Sequence, residues 1–336
     1  MRLSDFDYDL PEELIAQAPP EERDAARMLV VDRASKTFRD LRFRDLPAFL
    51  RLGDCVVLND SRVLPSRLYG KTGSGAVVQV FLLQPEQPLL WSALVRPGRR
   101  LLPRQVIRFD AGIAAEVVEV RERGERLMRF AGVRDDEELR ARLDQIGHVP
   151  LPPYIHRPDD LADRERYQTV FAERPGSVAA PTAGLHFTEE MLERIRKAGA
   201  SIARVTLHVG LGTFQPVDRE DFENHHLHRE RFEIPESSWR EICSSARVLA
   251  VGTTAVRTIE SAARTGRLSG ETDLFLYPGA VFQRTGAMLT NFHLPRSSLL
   301  LLVAAFGGAE LILSAYAYAV TRRYRFFSYG DCMLIV

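Results

Sequence analysis

Lysine is nearly missing from this chain. Of 45 basic residues only Lys36, Lys71 and Lys197 are lysines, and the rest are arginines. That bias reads equally well as genome composition or as a preference for the guanidinium fork that grips phosphate. Cysteine is as scarce: Cys55, Cys243 and Cys332 stand far apart with no CxxC. This excludes a disulfide framework and a cysteine-type zinc site, and a reducing compartment is expected. Net charge is absent too, since 45 acidic residues cancel the 45 basic ones. No global signal for nucleic acid remains, although a local basic patch would still act over one Debye length, about 8–10 Å. There is no low-complexity tract and no long apolar run. The longest, residues 299–306, spans eight residues, against the roughly 18–20 a membrane span needs, so it reads as a buried helix. The first residues, MRLSDFDYDLPEEL, are acidic and lack an apolar stretch. No signal peptide is expected, and the protein reads as cytoplasmic with no membrane partner.

What is present is a globular composition of 336 residues, 45% hydrophobic and 27% charged, long enough for about two domains. Residues 28–32 (MLVVD) and 55–58 (CVVL) are apolar on both faces, as in buried strands. Between 66 and 132 short strand-like runs recur at 67–71, 76–83, 90–95, 105–109, 114–120 and 126–130, punctuated by glycine and proline. Closely spaced strands with no helix between them predict a small all-β barrel or sandwich. Residues 135–146 then carry helical spacing, and Pro150, Pro152 and Pro153 mark an ordered linker. Beyond it strands and helices alternate. Thr188 should cap a helix, 202–209 and 248–251 read as strands, 235–246 and 254–264 as helices, and 299–320 as two helices broken at Gly307-Gly308. The expected fold is α/β: a discontinuous domain (1–65 and 133–336) with a small β-barrel (66–132) inserted.

The last third concentrates polar, glycine-rich motifs where apolar runs give way to turns. They are PTAGLHFT (181–188), TLHVGLGTF (206–214), HHLH (225–228), VGTT (251–254), NFHLP (291–295) and YRFFSYGD (324–331). VGTT follows a strand and opens a helix, with Thr253 or Thr254 as N-cap. Such a helix start suits a carboxylate or phosphate, but also describes an ordinary cap. Gly210 and Gly212 permit close backbone approach to a ligand or merely a tight turn; with no helix after them a dinucleotide site is disfavoured. His225, His226 and His228 with Glu230 and Glu233 invite a metal, yet their spacing fits no standard site, and an acid–base role for one histidine is the better reading. His186 and His208 read either as buried structural imidazoles or as functional groups. Arg96, Arg99 and Arg100 end a β-run and suit phosphate contacts or a solvated hairpin tip. The 324–331 aromatics suit a nucleobase or a strand docked into the core.

Together with LSDFDY (3–8), NDSRV (59–63), GHVPLPPY (147–154) and RYQTVF (166–171), these motifs resemble one family along the whole chain. It is the S-adenosylmethionine:tRNA ribosyltransferase-isomerase family of the bacterial queuosine pathway. The resemblance implies an α/β domain with an inserted β-barrel. It also implies transfer of ribosyl carbons from S-adenosylmethionine to 7-aminomethyl-7-deazaguanosine at the wobble position of tRNA, giving epoxyqueuosine-tRNA, adenine and methionine. The donor is then a consumed co-substrate, with no cofactor and no metal. The partner is the tRNA anticodon loop, and the chain acts as a monomer. On that reading His186, His208, His228 and His293 form the acid–base pool, with Glu230 or Asp331 as partners. Gly210, Gly212, Thr213, Thr253 and Thr254 bind the donor's methionine end or ribose, and Thr182, Gly184, Arg257 and Asn291 belong to the substrate site. Phe326, Tyr329 and Asp331 hold a base, either adenine or the deazaguanine, and Arg62, Arg96, Arg99 and Arg100 contact tRNA phosphates. Two rivals are a metal-dependent hydrolase built on 225–233 and a noncatalytic RNA-binding module built on the β insert.

Overall fold

The computed structural model describes residues 1–210, 220–225 and 227–336, apart from the side chains of Arg100, Arg123 and Asn224. The chain opens with β1 (Arg27–Asp32) and β2 (Thr37–Arg42), then β3 (Asp54–Asn59) and the short β4 (Ser61–Val63). Every residue of β3 is buried, and its alternating side chains feed two cores: Cys55 and Val57 one, Val56 and Leu58 the other. β2 exposes Arg39 and Asp40 and forms a sheet edge, where charge discourages pairing with another chain.

Six strands follow: β5 (Arg67–Thr72), β6 (Val77–Gln87), β7 (Leu90–Arg96), β8 (Val106–Arg108), β9 (Ala114–Val120) and β10 (Glu125–Ala131). They close into an antiparallel barrel in the order β10-β7-β6-β5-β8-β9. Alternation sends Leu68, Val80, Trp91, Ala93, Ile107 and Met128 inward as a core of their own. Gly70 belongs to that inner surface, where a Cβ would stand 2.5 Å from Ile107 Cγ2.

The helix α1 (Asp136–Ile146) is capped by Asp135, whose Oδ1 accepts from the Glu138 amide at 2.8 Å. Its Leu139 and Leu143 join the barrel core, and Asp136 accepts from the Leu89 amide and the Trp91 indole at 3.1 and 3.3 Å. After α2 (Asp163–Arg166), β11 (Arg174–Ser177) returns to pair in parallel with β4.

The remainder alternates. In order come α3 (Glu189–Lys197), β12 (Ser201–Leu207), β13 (Glu230–Glu233), α4 (Glu236–Ser244), β14 (Arg247–Val251), α5 (Gly252–Thr265) and β15 (Ser269–Thr272). β16 (Thr285–Asn291), α6 (Ser298–Gly307), α7 (Ala309–Thr321) and β17 (Cys332–Ile335) end the chain. Among the described residues nine strands form one mixed sheet, β15-β13-β12-β3-β14-β16-β17-β1-β2. Its centre, β12-β3-β14-β16, is parallel. Thr188 caps α3 through its hydroxyl, 3.1 Å from the Met191 amide. The Gly307-Gly308 break holds: α6 and α7 meet at 115°, and no single described helix is long and apolar enough to cross a membrane.

One expectation needs correcting. Neither Thr253 nor Thr254 caps α5. The helix begins at Gly252, directly after β14, with Val251 in the cap position and no side-chain cap. Gly252 adopts φ +85°, a conformation that lets strand turn into helix without an intervening polar residue.

Candidate active site

Because β12, β3, β14 and β16 run parallel, their carboxyl ends lie on one side of the sheet, where ligands of open α/β sheets bind. A cavity of about 110 Å³ opens there, reached by Val209 after β12, by Gly252, Thr253 and Thr254 after β14, and by Asn291 and His293 at the end of β16. Ala179 to Ala183, Pro153-Tyr154 and Phe327-Ser328 complete its walls.

One wall is the amino end of α5. Its first amides have no intrahelical acceptor, and they carry the positive end of the helix dipole. Thr254 Oγ1 beside them is buried without a hydrogen-bond partner among the described residues. The contrast is α6, whose start also borders the cavity. There Ser297 Oγ accepts from the Leu300 amide at 3.2 Å and donates to the Leu294 carbonyl at 2.7 Å. Only the α5 end is left open.

An aromatic pair forms another wall, Tyr154 and Phe327 with ring centroids 4.6 Å apart. The Tyr154 hydroxyl lies 2.6 Å from Ser328 Oγ. Phe327 holds φ +68°, which costs a non-glycine residue about 1–3 kcal/mol and is a feature found at ligand sites. On the floor, Asn291 donates to the Phe327 carbonyl at 2.9 Å and pairs through Oδ1 with His186 Nε2 at 3.0 Å. His293 Nε2 meets Thr290 Oγ1 at 2.8 Å. Burial pushes the His293 imidazole down to about 3, so it is neutral at neutral pH. No described residue lining this cavity is an aspartate, glutamate, lysine or arginine.

A smaller cavity of about 20 Å³ adjoins it across Leu299, lined by His228, Glu230 and Arg257. Glu230 accepts from the Gly210 amide at 2.8 Å through Oε1 and pairs through Oε2 with Arg257. Arg257 Nε donates to the Leu274 carbonyl at 3.1 Å, while its Nη2 has no hydrogen-bond partner among the described residues. Two charges buried together are tolerable only as a pair, so each fixes the other.

The structure thus gathers Thr182, Thr253, Thr254, Asn291 and His293 on the larger cavity and His228, Glu230 and Arg257 on the smaller. Gly210 abuts the latter through Glu230. Gly212 and Thr213 lie outside the described residues. The other expected site residues are placed elsewhere. His186 sits one layer behind Asn291, and burial lowers its pKa. His208 packs against Gly176, where a Cβ would meet its Nδ1 at 2.6 Å. Gly184 serves packing, since a Cβ there would stand 2.8 Å from both Phe171 Cζ and Thr169 Cγ2. Asp331 spends both oxygens on the Arg27 and Arg325 amides, at 2.8 and 2.7 Å. Phe326 is enclosed by Tyr8, Phe292 and Tyr316, and the Tyr329 hydroxyl donates to Asp163 at 2.8 Å. Neither ring lines a cavity wall described here. Arg62 is exposed on β4, and Arg96 and Arg99 are exposed on the barrel; the Arg100 side chain is outside the description. Among the described residues no three histidines, cysteines or carboxylates are grouped to hold a metal. Tyr154, Thr290, Phe327 and Ser328 were not singled out by the sequence, though the GHVPLPPY and YRFFSYGD motifs contain three of them.

A sequence model of the family described as queuosine biosynthesis protein matches residues 3–335. The chain is similar to S-adenosylmethionine:tRNA ribosyltransferase-isomerase of Solibacter usitatus, 58% identical over 356 residues and covering 100% of both chains. It is similar to the same enzyme of Trichlorobacter lovleyi, 48% identical over 344 residues with 100% of each covered. Among solved structures it resembles the S-adenosylmethionine tRNA ribosyltransferase of Thermotoga maritima, with TM-score 0.57 and 36% identity over 99% of this chain and 100% of that one.

Proposed function

Because this chain belongs to the queuosine biosynthesis protein family, we propose that the larger cavity holds the S-adenosyl nucleoside of its donor beside a tRNA nucleoside. The chain is an enzyme. It transfers and isomerises the ribosyl moiety of S-adenosylmethionine onto 7-aminomethyl-7-deazaguanosine at the tRNA wobble position, releasing adenine and methionine.

The chemistry needs three things: loss of a proton beside the sulfonium, departure of adenine, and departure of methionine as an epoxide closes. In our reading the open start of α5 and Thr254 Oγ1 hydrogen-bond ribose oxygens. The Tyr154–Phe327 wall faces the base and the sulfonium, which an aromatic surface attracts. The methionine tail reaches past Leu299, where Arg257 Nη2 meets its carboxylate. His293 is the one described histidine on the larger cavity. As a neutral imidazole, weakened as a base by its burial, it accepts the proton from a carbon that the adjacent sulfonium has made acidic. Its protonated form is a strong acid in that environment and passes the proton to the departing adenine. The sulfonium itself acidifies the neighbouring carbon, so no metal or resident cofactor takes part. A single copy of the chain supplies every group named, and the tRNA anticodon loop closes over the cavity in the cytoplasm.

The observation that carries this reading is the uncapped helix start with its unpartnered Thr254 hydroxyl, facing an aromatic wall across a space that also holds His293. The test is purified protein with S-adenosylmethionine and tRNA bearing the aminomethyl base. Adenine and methionine should appear in equal amounts. His293→Ala should lower kcat by on the order of 10²–10⁴ while calorimetry still shows donor binding. An undiminished kcat would remove His293 from the proton path.

A further inference from the structure

Strand alternation in the barrel sorts charge by side. On β5, Leu68 is buried while Tyr69 and Lys71 are exposed, and the register extends that outward row across three neighbours. Tyr69 lies opposite Gln79, which lies opposite Arg96. Lys71 lies opposite Val77 on one side and Arg108 on the other. No outward position of this stretch carries a carboxylate. Among the described residues none of Lys71, Arg96 and Arg108 forms an ion pair. The other flank of the barrel is the reverse: Arg121 is paired with Glu86, Glu119 and Glu125 together. Like charges at directly opposed positions, as Lys71 and Arg108 are, oppose sheet formation. A surface with no use for them would carry an acid at one of the two.

Tyr69 is 49% exposed in the middle of this face. Its ring meets His148 edge to face at 5.1 Å, which orients it. His148 is fixed in turn by Asp159 Oδ1, 3.0 Å from Nδ1, and Asp159 also accepts from the Val149 amide at 2.9 Å. The same segment continues within a few residues to Pro153 and Tyr154 on the cavity wall.

We propose that the outward face of β5, β6, β7 and β8 receives the RNA of the anticodon arm, with Tyr69 stacking on an unpaired base and Lys71, Arg96 and Arg108 contacting phosphates. A base-bearing polyanion uses both the exposed ring and the unpaired cations of this row, which carries no carboxylate of its own; Glu86, at the far end of β6, is held by Arg121. This rests on the tRNA-modifying reading above and adds where the RNA lies.

The experiment is binding of a substrate tRNA transcript to the full chain across a range of salt concentrations, alongside steady-state kinetics. Tyr69→Ala should weaken binding about 5- to 150-fold, the worth of one stacked base, with little change of salt slope, and Tyr69→Trp should restore it. Lys71→Ala with Arg108→Ala should flatten the slope of log K against log salt by roughly 1–2. In both, the tRNA KM should rise while kcat at saturating tRNA holds. Arg129→Ala, an exposed base opposite Glu116 on the other flank, should change nothing. Wild-type affinity in the Tyr69 and Lys71/Arg108 variants would overturn the docking face and leave the cavity reading standing. Failure of the unaltered chain to bind tRNA would instead overturn the reading beneath it.

Discussion

His293 makes its role testable through stability as well as rate. Its pKa falls from 6.5 to about 3 on folding because burial strips solvent from the charged form. The unfolded chain therefore binds a proton that the folded one refuses between those two values. Folding stability should drop as pH falls from 6.5 toward 3, by up to about 1.4 kcal/mol per pH unit from this group. His186, lowered in the same direction by burial, adds to the trend. Urea denaturation at stepped pH should show a shallower slope for His293→Gln than for the unaltered chain, and identical slopes would contradict the buried neutral imidazole. The sequence showed that histidines collect near glycine-rich turns. It did not show which one meets a ligand. Val209 reaches the larger cavity and its neighbour His208 does not, an outcome of strand alternation and packing. His186 finds its partner Asn291 only once two distant segments are folded together.

Elements were the most legible scale. The Thr188 cap, the Gly307-Gly308 break and the paired apolar strands all carry local signals that tertiary structure did not override. At the start of α5, threonine after glycine looks like a cap, whereas glycine itself makes the turn. With no side chain folded back on them, the first amides of α5 remain available. Gly252→Ala should disturb them: no atom stands closer than 3.6 Å to the added Cβ, so the penalty is conformational, about 1–2 kcal/mol for a side chain at positive φ. Thermal denaturation should register that loss, and calorimetric titration should show weaker S-adenosylmethionine binding. Undiminished affinity in a destabilised variant would separate the α5 start from the donor site.

At the scale of the molecule, the barrel was visible in the spacing of short strands, and the α/β class in the alternation that follows. The company α1 keeps was not visible, because helical spacing reveals an apolar face without saying what covers it. Leu139 and Leu143 turn out to belong to the barrel core, which is distinct from the two cores flanking the large sheet. The barrel, whose core is its own while the other two share the large sheet, should unfold as a cooperative unit apart from the α/β part. Adding S-adenosylmethionine at 100 times its Kd should raise the stability of the α/β unit by about 2.7 kcal/mol and leave the barrel's transition in place during calorimetry. One transition moving as a whole would show a single unit instead. The larger cavity's lack of charged lining has a further effect. It has only the Tyr154–Phe327 wall with which to tell a sulfonium from the neutral thioether nucleoside that methyl donation leaves behind, and a cation over an aromatic face is worth about 0.5–2 kcal/mol. Spent donor should therefore compete with fresh donor, and the pace of this enzyme should follow how quickly its surroundings dispose of that waste.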